Sequence, residues 1–258
     1  MITSLQNPRL KLVRALMGRA KERRDAGAFV AEGVRLVEEA AKANWPVQFV
    51  LYDETLNERG MSNIRLLTSL GVEVEQVAAH VMRSLSETES PQGILAVLNL
   101  YQLPWSPAST FILILDQVRD PGNLGTLIRS ADAAGVDLVL IPPETTDPFA
   151  PKVVRAGMGA HFHLPIRSMN WDEIRSSGVP ASQRVLLADM QGDSCWEADL
   201  RQPLTLIVGG EAEGASAQAR ELAGQRICIP MTGGTESLNA AVAGSVLMFE
   251  VMRQRKEK

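Results

Sequence analysis

Residues 229–244 read IPMTGGTESLNAAVAG: the end of an apolar strand, a Pro, paired glycines, a Ser and an Asn, then an apolar helix. A tight turn between strand and helix needs one glycine. Several small residues suit a junction where a ligand meets bare backbone, because missing Cβ atoms permit unusual dihedrals and close approach. Two further junctions share this character. "LDQVRDPGNLGTLIRSADAAG" (115–135) leaves an apolar strand, turns at Pro121-Gly122-Asn123 and carries Arg129 on the helix that follows. "LIVGGEAEG" (206–214) places Glu211 after paired glycines. In an open α/β sheet, ligands lie outside the carboxyl ends of the strands, so three such junctions can converge on one site.

The pattern around these junctions predicts the architecture. "TFILILD", "VDLVLI", "HFHLPI", "RVLLAD", "LTLIVGG" and "RICIPM" read as strands, separated by helices at "NLGTLIRSADAAG" and "APKVVRAGM" and closed by a long helix over 237–255. Near-continuous Val/Ile/Leu runs belong to strands covered on both faces, hence to a parallel sheet. On the "HFHLPI" strand His161 and His163 point the same way; with three histidines in the chain, a core or surface role outweighs metal ligation. Along the last helix Leu238, Ala241, Val242, Ser245, Val246 and Phe249 share one face, while Ala240 and Gly244 leave a second, thin one. A helix with two packable faces needs two partners.

The first hundred residues alternate in the same way. Asn7-Pro8 is an N-cap followed by Pro at the first helical position, opening a helix to about residue 18. "AFVAEG", "VQFVLYD", "VEVEQV" and "GILAVLNLY" read as strands; "VRLVEEAAKA", "MSNIRLLTSLG" and "HVMRSLSE" read as helices. "LPWSPAST" (103–110) is the best linker. The expected organisation is a small α/β module over 1–102, a linker over 103–110 and a larger α/β domain over 111–258.

Composition narrows the function. The chain has 258 residues, 45% hydrophobic and 22% charged, as in soluble globular proteins. No run of about 18 apolar residues suggests a membrane span, and the N-terminus shows no signal-peptide pattern. Cys195 and Cys228, the only cysteines, suggest neither a disulfide framework nor a metal site, and a reducing cytoplasm fits them. GxxxxGK[ST], HExxH and GxSxG are all missing, and the "GMG" at 157–159 does not open a helix after a strand. A formal charge of −4 conceals an asymmetry: residues 1–35 carry eight basic side chains against three acidic ones, net +5, which leaves −9 for the rest. A basic arm on an acidic protein is what a polyanion-binding element looks like; Arg19, Lys21, Arg23 and Arg24 form its densest part. A solvated helix face is the plainer explanation of the same charges.

Together the three junctions resemble the SpoU (TrmH-type) family of RNA ribose 2′-O-methyltransferases, within the SPOUT class. The resemblance lies in Asn123-Leu-Gly125-Thr-Leu-Ile-Arg129, in Gly209-Gly210-Glu211-Ala-Glu-Gly214, and in Ile229-Pro230-Met231 followed by Ser237-Leu238-Asn239. "FVAEGVRLVEEA" and "PQGILAV" are similar to the start and end of the family's small RNA substrate-binding domain, so the likeness covers nearly the whole chain. Ala240-Ala241 stand where many relatives have Val-Ser, and Ala212 where many have Gly; both changes keep the side chains small.

The resemblance implies a C-terminal α/β trefoil-knot domain, which periodicity would never suggest because fold rules disfavour knots. It also implies a homodimer, and S-adenosyl-L-methionine bound in the knot loops without a metal. By position, Gly209, Gly210, Ile229, Met231 and Leu238 would line the cofactor. Arg129 would activate the ribose hydroxyl, with Asn123 and Glu211 positioning it or the loops and Ser237 and Asn239 holding the polar network. A guanidinium is a poor base, so two roles stand open: a base whose proton affinity RNA phosphate and burial have shifted, or a donor that orients the hydroxyl and stabilises alkoxide charge. Ribosomal RNA is the expected substrate. Transfer RNA, base-nitrogen methylation and a non-catalytic RNA-binding protein of the same fold are the alternatives.

Overall fold

The computed structural model describes residues 1–86, 88, 90–178, 183–211 and 213–256; Ala212 lies outside the described residues. In chain order the elements are α1 (Pro8–Gly18), α2 (Ala20–Ala26), β1 (Ala28–Glu32), α3 (Val34–Lys42), β2 (Val47–Tyr52), α4 (Glu58–Ser69), β3 (Glu73–Gln76), α5 (Ala79–Leu85) and β4 (Ile94–Asn99). They continue with β5 (Phe111–Asp116), α6 (Pro121–Ala134), β6 (Leu138–Ile141), α7 (Pro151–Gly157), β7 (Ile166–Ser168), α8 (Trp171–Ser176) and β8 (Arg184–Ser194). The last are β9 (Leu204–Gly209), α9 (Ala217–Leu222), β10 (Gln225–Cys228) and α10 (Ala240–Lys256). Two compact units result: Met1–Tyr101 with Phe149–Phe162, and Gln102–Pro148 with His163–Lys258.

The first unit holds a four-stranded sheet in the order β1-β4-β2-β3, in which β4 runs antiparallel to β1 and β2 and β3 parallel to β2. Asn7 caps α1 by accepting from Arg9 N at 2.8 Å, with Pro8 opening the helix, and Leu10, Val13 and Leu16 pack against Phe49, Leu51 and Val97. At Arg19 the backbone turns extended (φ −113°) before the chain coils again as α2, which ends at Gly27 in the left-handed region (φ +57°). This second helix is absent from the sequence reading, since AKERRDA offers no apolar period. It also corrects the role of Arg23. That side chain is 3% exposed and its Nη1 donates to Leu16 O at 2.6 Å, so it braces the end of α1, whereas Arg19, Lys21 and Arg24 face solvent.

A second correction concerns 160–163. Met158 and Gly159 both adopt positive φ after α7, which coils Ala160–Phe162 into a 3₁₀ turn. His161 is buried and His163 exposed; they do not alternate along a strand, and β7 begins only at Ile166.

The second unit is a six-stranded sheet in the order β10-β8-β9-β5-β6-β7, parallel throughout. Its central strand β5 is buried at every residue and β9 at its first five, the signature of strands covered on both faces. The chain steps outward from β5 to β7, then crosses to the other side of β5 for β9 and β8. That reversal makes the crevice beyond the carboxyl ends of β5 and β9 a topological switch point, where such sheets bind ligands.

Two helices close this unit over the switch point. Asp120 caps α6 by accepting from Asn123 N at 2.8 Å, Pro121 opens it, and Gly135 (φ +76°) ends it. Helix α10 packs on α6 through Gly244, where an added Cβ would lie 2.5 Å from Leu127 Cδ2, and through Ser245 Oγ, which donates to Ser130 Oγ at 2.8 Å. It begins at Ala240 and not at 237, because Asn239 Oδ1 accepts from Ala241 N at 2.9 Å and Val242 N at 3.2 Å as its cap. Its faces also differ from expectation: Leu238 precedes the helix, Ala241 joins Gly244 on the buried side, and Val242 and Phe249 stand exposed by 50% and 41%.

Candidate active site

Three backbone segments meet at contact distance beyond the ends of β5 and β9. Asp116 is in register with Gly209. A Cβ added at Gly209 would lie 2.6 Å from Ala215 N, and one at Gly210 would strike Gln117 O. Gly210 N donates to Gly214 O at 3.1 Å, folding the loop after β9 back on itself. Only glycine fits where backbones approach so closely. At Gly233 and Gly234, by contrast, nothing lies within 4 Å of an added Cβ, whereas Gly244 at the end of the same stretch meets Leu127 and Val208.

Beside the loop after β9 lies an open cavity of about 950 Å³. Its walls come from the loop after β9, the extended stretch between β10 and α10, part of β8 and the first turn of α10. Gly209, Gly210, Ile229, Met231 and Leu238, which the family resemblance assigns to the cofactor, all line it, as do Glu211, Ser237 and Asn239. Asn123 joins two of these residues. Its Nδ2 donates to Glu211 Oε1 at 2.7 Å, and its Oδ1 accepts from Asn239 Nδ2 at 3.1 Å. One asparagine side chain thus ties the first turn of α6 to the loop after β9 and to the cap of α10.

Arg129 stands apart from this relay. It lies on the exposed face of α6, six residues beyond Asn123, and makes no hydrogen bond or ion pair among the described residues. An exposed guanidinium with its donors uncommitted can meet a phosphate or a hydroxyl of a bound polymer.

Sequence reasoning missed three groups. Asp116 ends β5 fully buried; its Oδ2 accepts from Ser216 N at 2.6 Å while Oδ1 has no partner, and burial raises its pKa above the usual aspartate value. Asp189, within β8, lines the cavity and pairs with Arg220 at 3.2 Å. An acid directly following the run VLLA was the available signal. Cys228 lines the cavity, while buried Cys195 behind it has its thiol pKa pushed up to about 11, chiefly by desolvation. Among the described residues, no cluster of three or more His, Cys, Asp or Glu is placed to hold a metal, and no helix is long and apolar enough to cross a membrane.

Comparison with known proteins places this geometry. Residues 110–249 match the model of the SpoU rRNA methylase family, and residues 7–96 match an MRM3-like substrate-binding domain. The chain is 35% identical, over 97% of its length and 98% of the relative's, to the Bacillus subtilis 23S rRNA (guanosine(2553)-2′-O)-methyltransferase RlmP. It is 34% identical, over 98% of its length and 92% of the relative's, to a 23S rRNA (uridine(2479)-2′-O)-methyltransferase of Streptomyces viridochromogenes. Among solved structures, an AdoMet-bound rRNA methyltransferase from Sinorhizobium meliloti superposes with a TM-score of 0.86 at 32% identity, covering 98% of this chain and 97% of that one.

Proposed function

The chain belongs to the SpoU rRNA methylase family, and we propose accordingly that it transfers a methyl group from S-adenosylmethionine to a ribose 2′-hydroxyl of ribosomal RNA. The observation that carries this reading is the relay Asn239–Asn123–Glu211, which draws the three family segments together beside one cavity. Ribosomal RNA is favoured over transfer RNA by the names of the relatives that match the chain end to end.

The cavity suits the cofactor. Its volume of about 950 Å³ falls in the range of small-molecule sites. Ile229, Met231 and Leu238 offer apolar surface for an adenine ring, and Gly209 and Gly210 offer bare backbone for its polar edge. Bound there, S-adenosylmethionine supplies a methyl group activated on a sulfonium. The work of the protein is then placement and electrostatics. Asn123 holds the loop of Glu211 and the cap of α10 in a fixed relation, and Ser237 adds a hydroxyl to the cavity wall. Arg129 would direct guanidinium hydrogen bonds at the ribose oxygen, orienting it and stabilising the negative charge left on it as the hydroxyl proton passes to solvent water.

In this reading, residues 1–102 form the RNA substrate-binding domain, 103–110 the linker and 111–258 the methyltransferase domain, whose threaded loops make the trefoil knot of the class. Arg19, Lys21 and Arg24 contact RNA phosphates without regard to sequence. A homodimer buries the apolar side chains of Val242 and Phe249 along α10, which one protomer leaves open to water. The enzyme acts in the cytoplasm, a reducing setting that suits two free thiols.

Mapping 2′-O-methyl groups in ribosomal RNA from cells with and without the protein tests this function. One ribose position should lose its methyl group when the protein is absent, and purified protein should restore it in vitro. Methylation of an RNA carrying a 2′-deoxy target nucleotide would overturn the ribose assignment.

A further inference from the structure

Strand β8 does not run evenly through its neighbours. Its pairing with β9 ends at Leu187, and its register against β10 jumps between Arg226 and Ile227, so that residues 188–192 stand out as a bulge. Gly192 closes the bulge, since an added Cβ would lie 2.5 Å from the backbone of Arg226 and Ile227. Bulges beside active sites re-aim side chains, and this one sets Asp189 and Met190 on the cavity wall.

Asp189 is engaged on both oxygens. Oδ1 accepts from Gln191 N at 3.0 Å, while Oδ2 accepts from Arg220 Nη1 at 3.2 Å and lies 3.6 Å from Arg226 Nη1. Arg220 Nε in turn donates to Ala215 O at 3.1 Å. The Arg220 guanidinium is therefore fixed between the bulge of β8 and the loop after β9. Its Nη2 lies over Gly214, 3.4 Å from where a Cβ would be, and has no hydrogen-bond partner among the described residues.

Charge decides what that free edge can do. Among the described residues lining the cavity, Arg220 is the one cation, whereas Asp189, Glu211, Glu213 and Glu236 are acids. S-adenosylmethionine carries two positive groups, the sulfonium and the ammonium, and one carboxylate. The acids attract the first two and repel the third, and among the described lining residues only Arg220 offers the carboxylate an opposite charge. We propose that Arg220, oriented by Asp189, binds the amino-acid carboxylate of the cofactor and so selects ligands that carry this tail. A held guanidinium donating to a carboxylate makes the short, strong kind of hydrogen bond. The inference deepens the cofactor reading above and rests on it.

Calorimetric titration with three ligands tests it: S-adenosylmethionine, S-adenosylhomocysteine, and 5′-methylthioadenosine, which lacks the amino-acid tail. Arg220→Gln should weaken the first two about tenfold or more, as expected for loss of a hydrogen bond to a charged group, and leave the third within about twofold. Arg220→Lys should recover part of the loss as a point charge, and it supplies the same comparison where Arg220→Gln does not fold. Equal weakening of all three ligands would make Arg220 a structural wall and overturn the proposal. Unchanged binding of all three would place the carboxylate elsewhere and overturn it too. A wild-type protein that binds none of them would instead overturn the cofactor reading.

Discussion

Asn239 donates to Asn123 at 3.1 Å across 116 positions of sequence, and Asn123 passes the connection on to Glu211 at 2.7 Å. Both ends of the Asn123 amide are thus in use, which fixes its rotamer and the spacing of three segments. Asn123→Ala should lower the rate of methyl transfer about a hundredfold, the scale of a misplaced reacting group, while cofactor affinity falls far less. Asn123→Asp should do no better, because it removes the donors and sets a carboxylate against Glu211. Single-turnover assays with saturating cofactor measure this; transfer at near wild-type rates by either variant would separate the relay from catalysis.

Arg129→Ala should abolish methyl transfer and leave cofactor binding and folding intact, since the side chain has no partner among the described residues to lose. Arg129→Lys should rescue little, because an ammonium cannot reproduce the planar, multi-donor guanidinium. Transfer by a folded Arg129→Ala protein at rates close to wild type would remove Arg129 from the mechanism.

Replacing Arg19, Lys21 and Arg24 together by Gln should flatten the salt dependence of RNA binding by about two to three units of log–log slope, one for each phosphate no longer neutralised. Arg23→Gln should act differently. It breaks a buried bond to Leu16 O and should cost about 1.5–3 kcal/mol of stability with the salt slope unchanged. Filter binding over a salt series, with urea unfolding alongside, distinguishes the two.

Gly244 and Gly233 belong to the same stretch of sequence but should respond in opposite directions. Gly244→Val forces atoms onto Leu127 Cδ2 and onto Val208, the latter 3.3 Å from an added Cβ, and overpacking of this kind costs about 1–3 kcal/mol. Gly233 has open space and no positive φ, so Gly233→Ala should be neutral or stabilising by up to about 1 kcal/mol through the unfolded chain. Urea midpoints at constant m-value report both.

Asp116 contributes a pH dependence of its own. Desolvation raises its folded-state pKa above the ordinary 3.8, so the folded protein holds this proton more tightly than the unfolded chain. The sign follows from linkage: stability falls as pH rises from the unfolded value through the folded one, and the loss is complete above it. Asp116→Asn removes that dependence. The difference in stability between variant and wild type should therefore shift toward the variant from acid to neutral pH, as measured by urea unfolding. A difference that does not change with pH would contradict it.

The sequence alone determined the large elements and their class. The Val/Ile/Leu runs of β5 and β9 could only be buried on both faces, so a parallel sheet followed, and Asn7-Pro8 marked a helix start through local capping chemistry that needs no tertiary context; Pro121-Gly122-Asn123, read as a turn, is instead the first turn of α6 under the cap of Asp120. The family segments were equally legible, because their Asn, Glu and Ser-Leu-Asn fall at fixed offsets beside glycines. What the sequence left open depends on which distant residue arrives at a given point. Arg23 and Arg24 are adjacent and chemically identical, yet the phase of a short polar helix buries one against Leu16 O and exposes the other. Gly233 and Gly244 read alike, but only the second meets a neighbouring helix. The ion pair of Asp189 with Arg220 spans 31 positions and exists because a register shift lifts five residues out of the sheet. Periodicity reports which side of an element is apolar; it holds no information about the partner on the other side, and for polar side chains that partner decides the role.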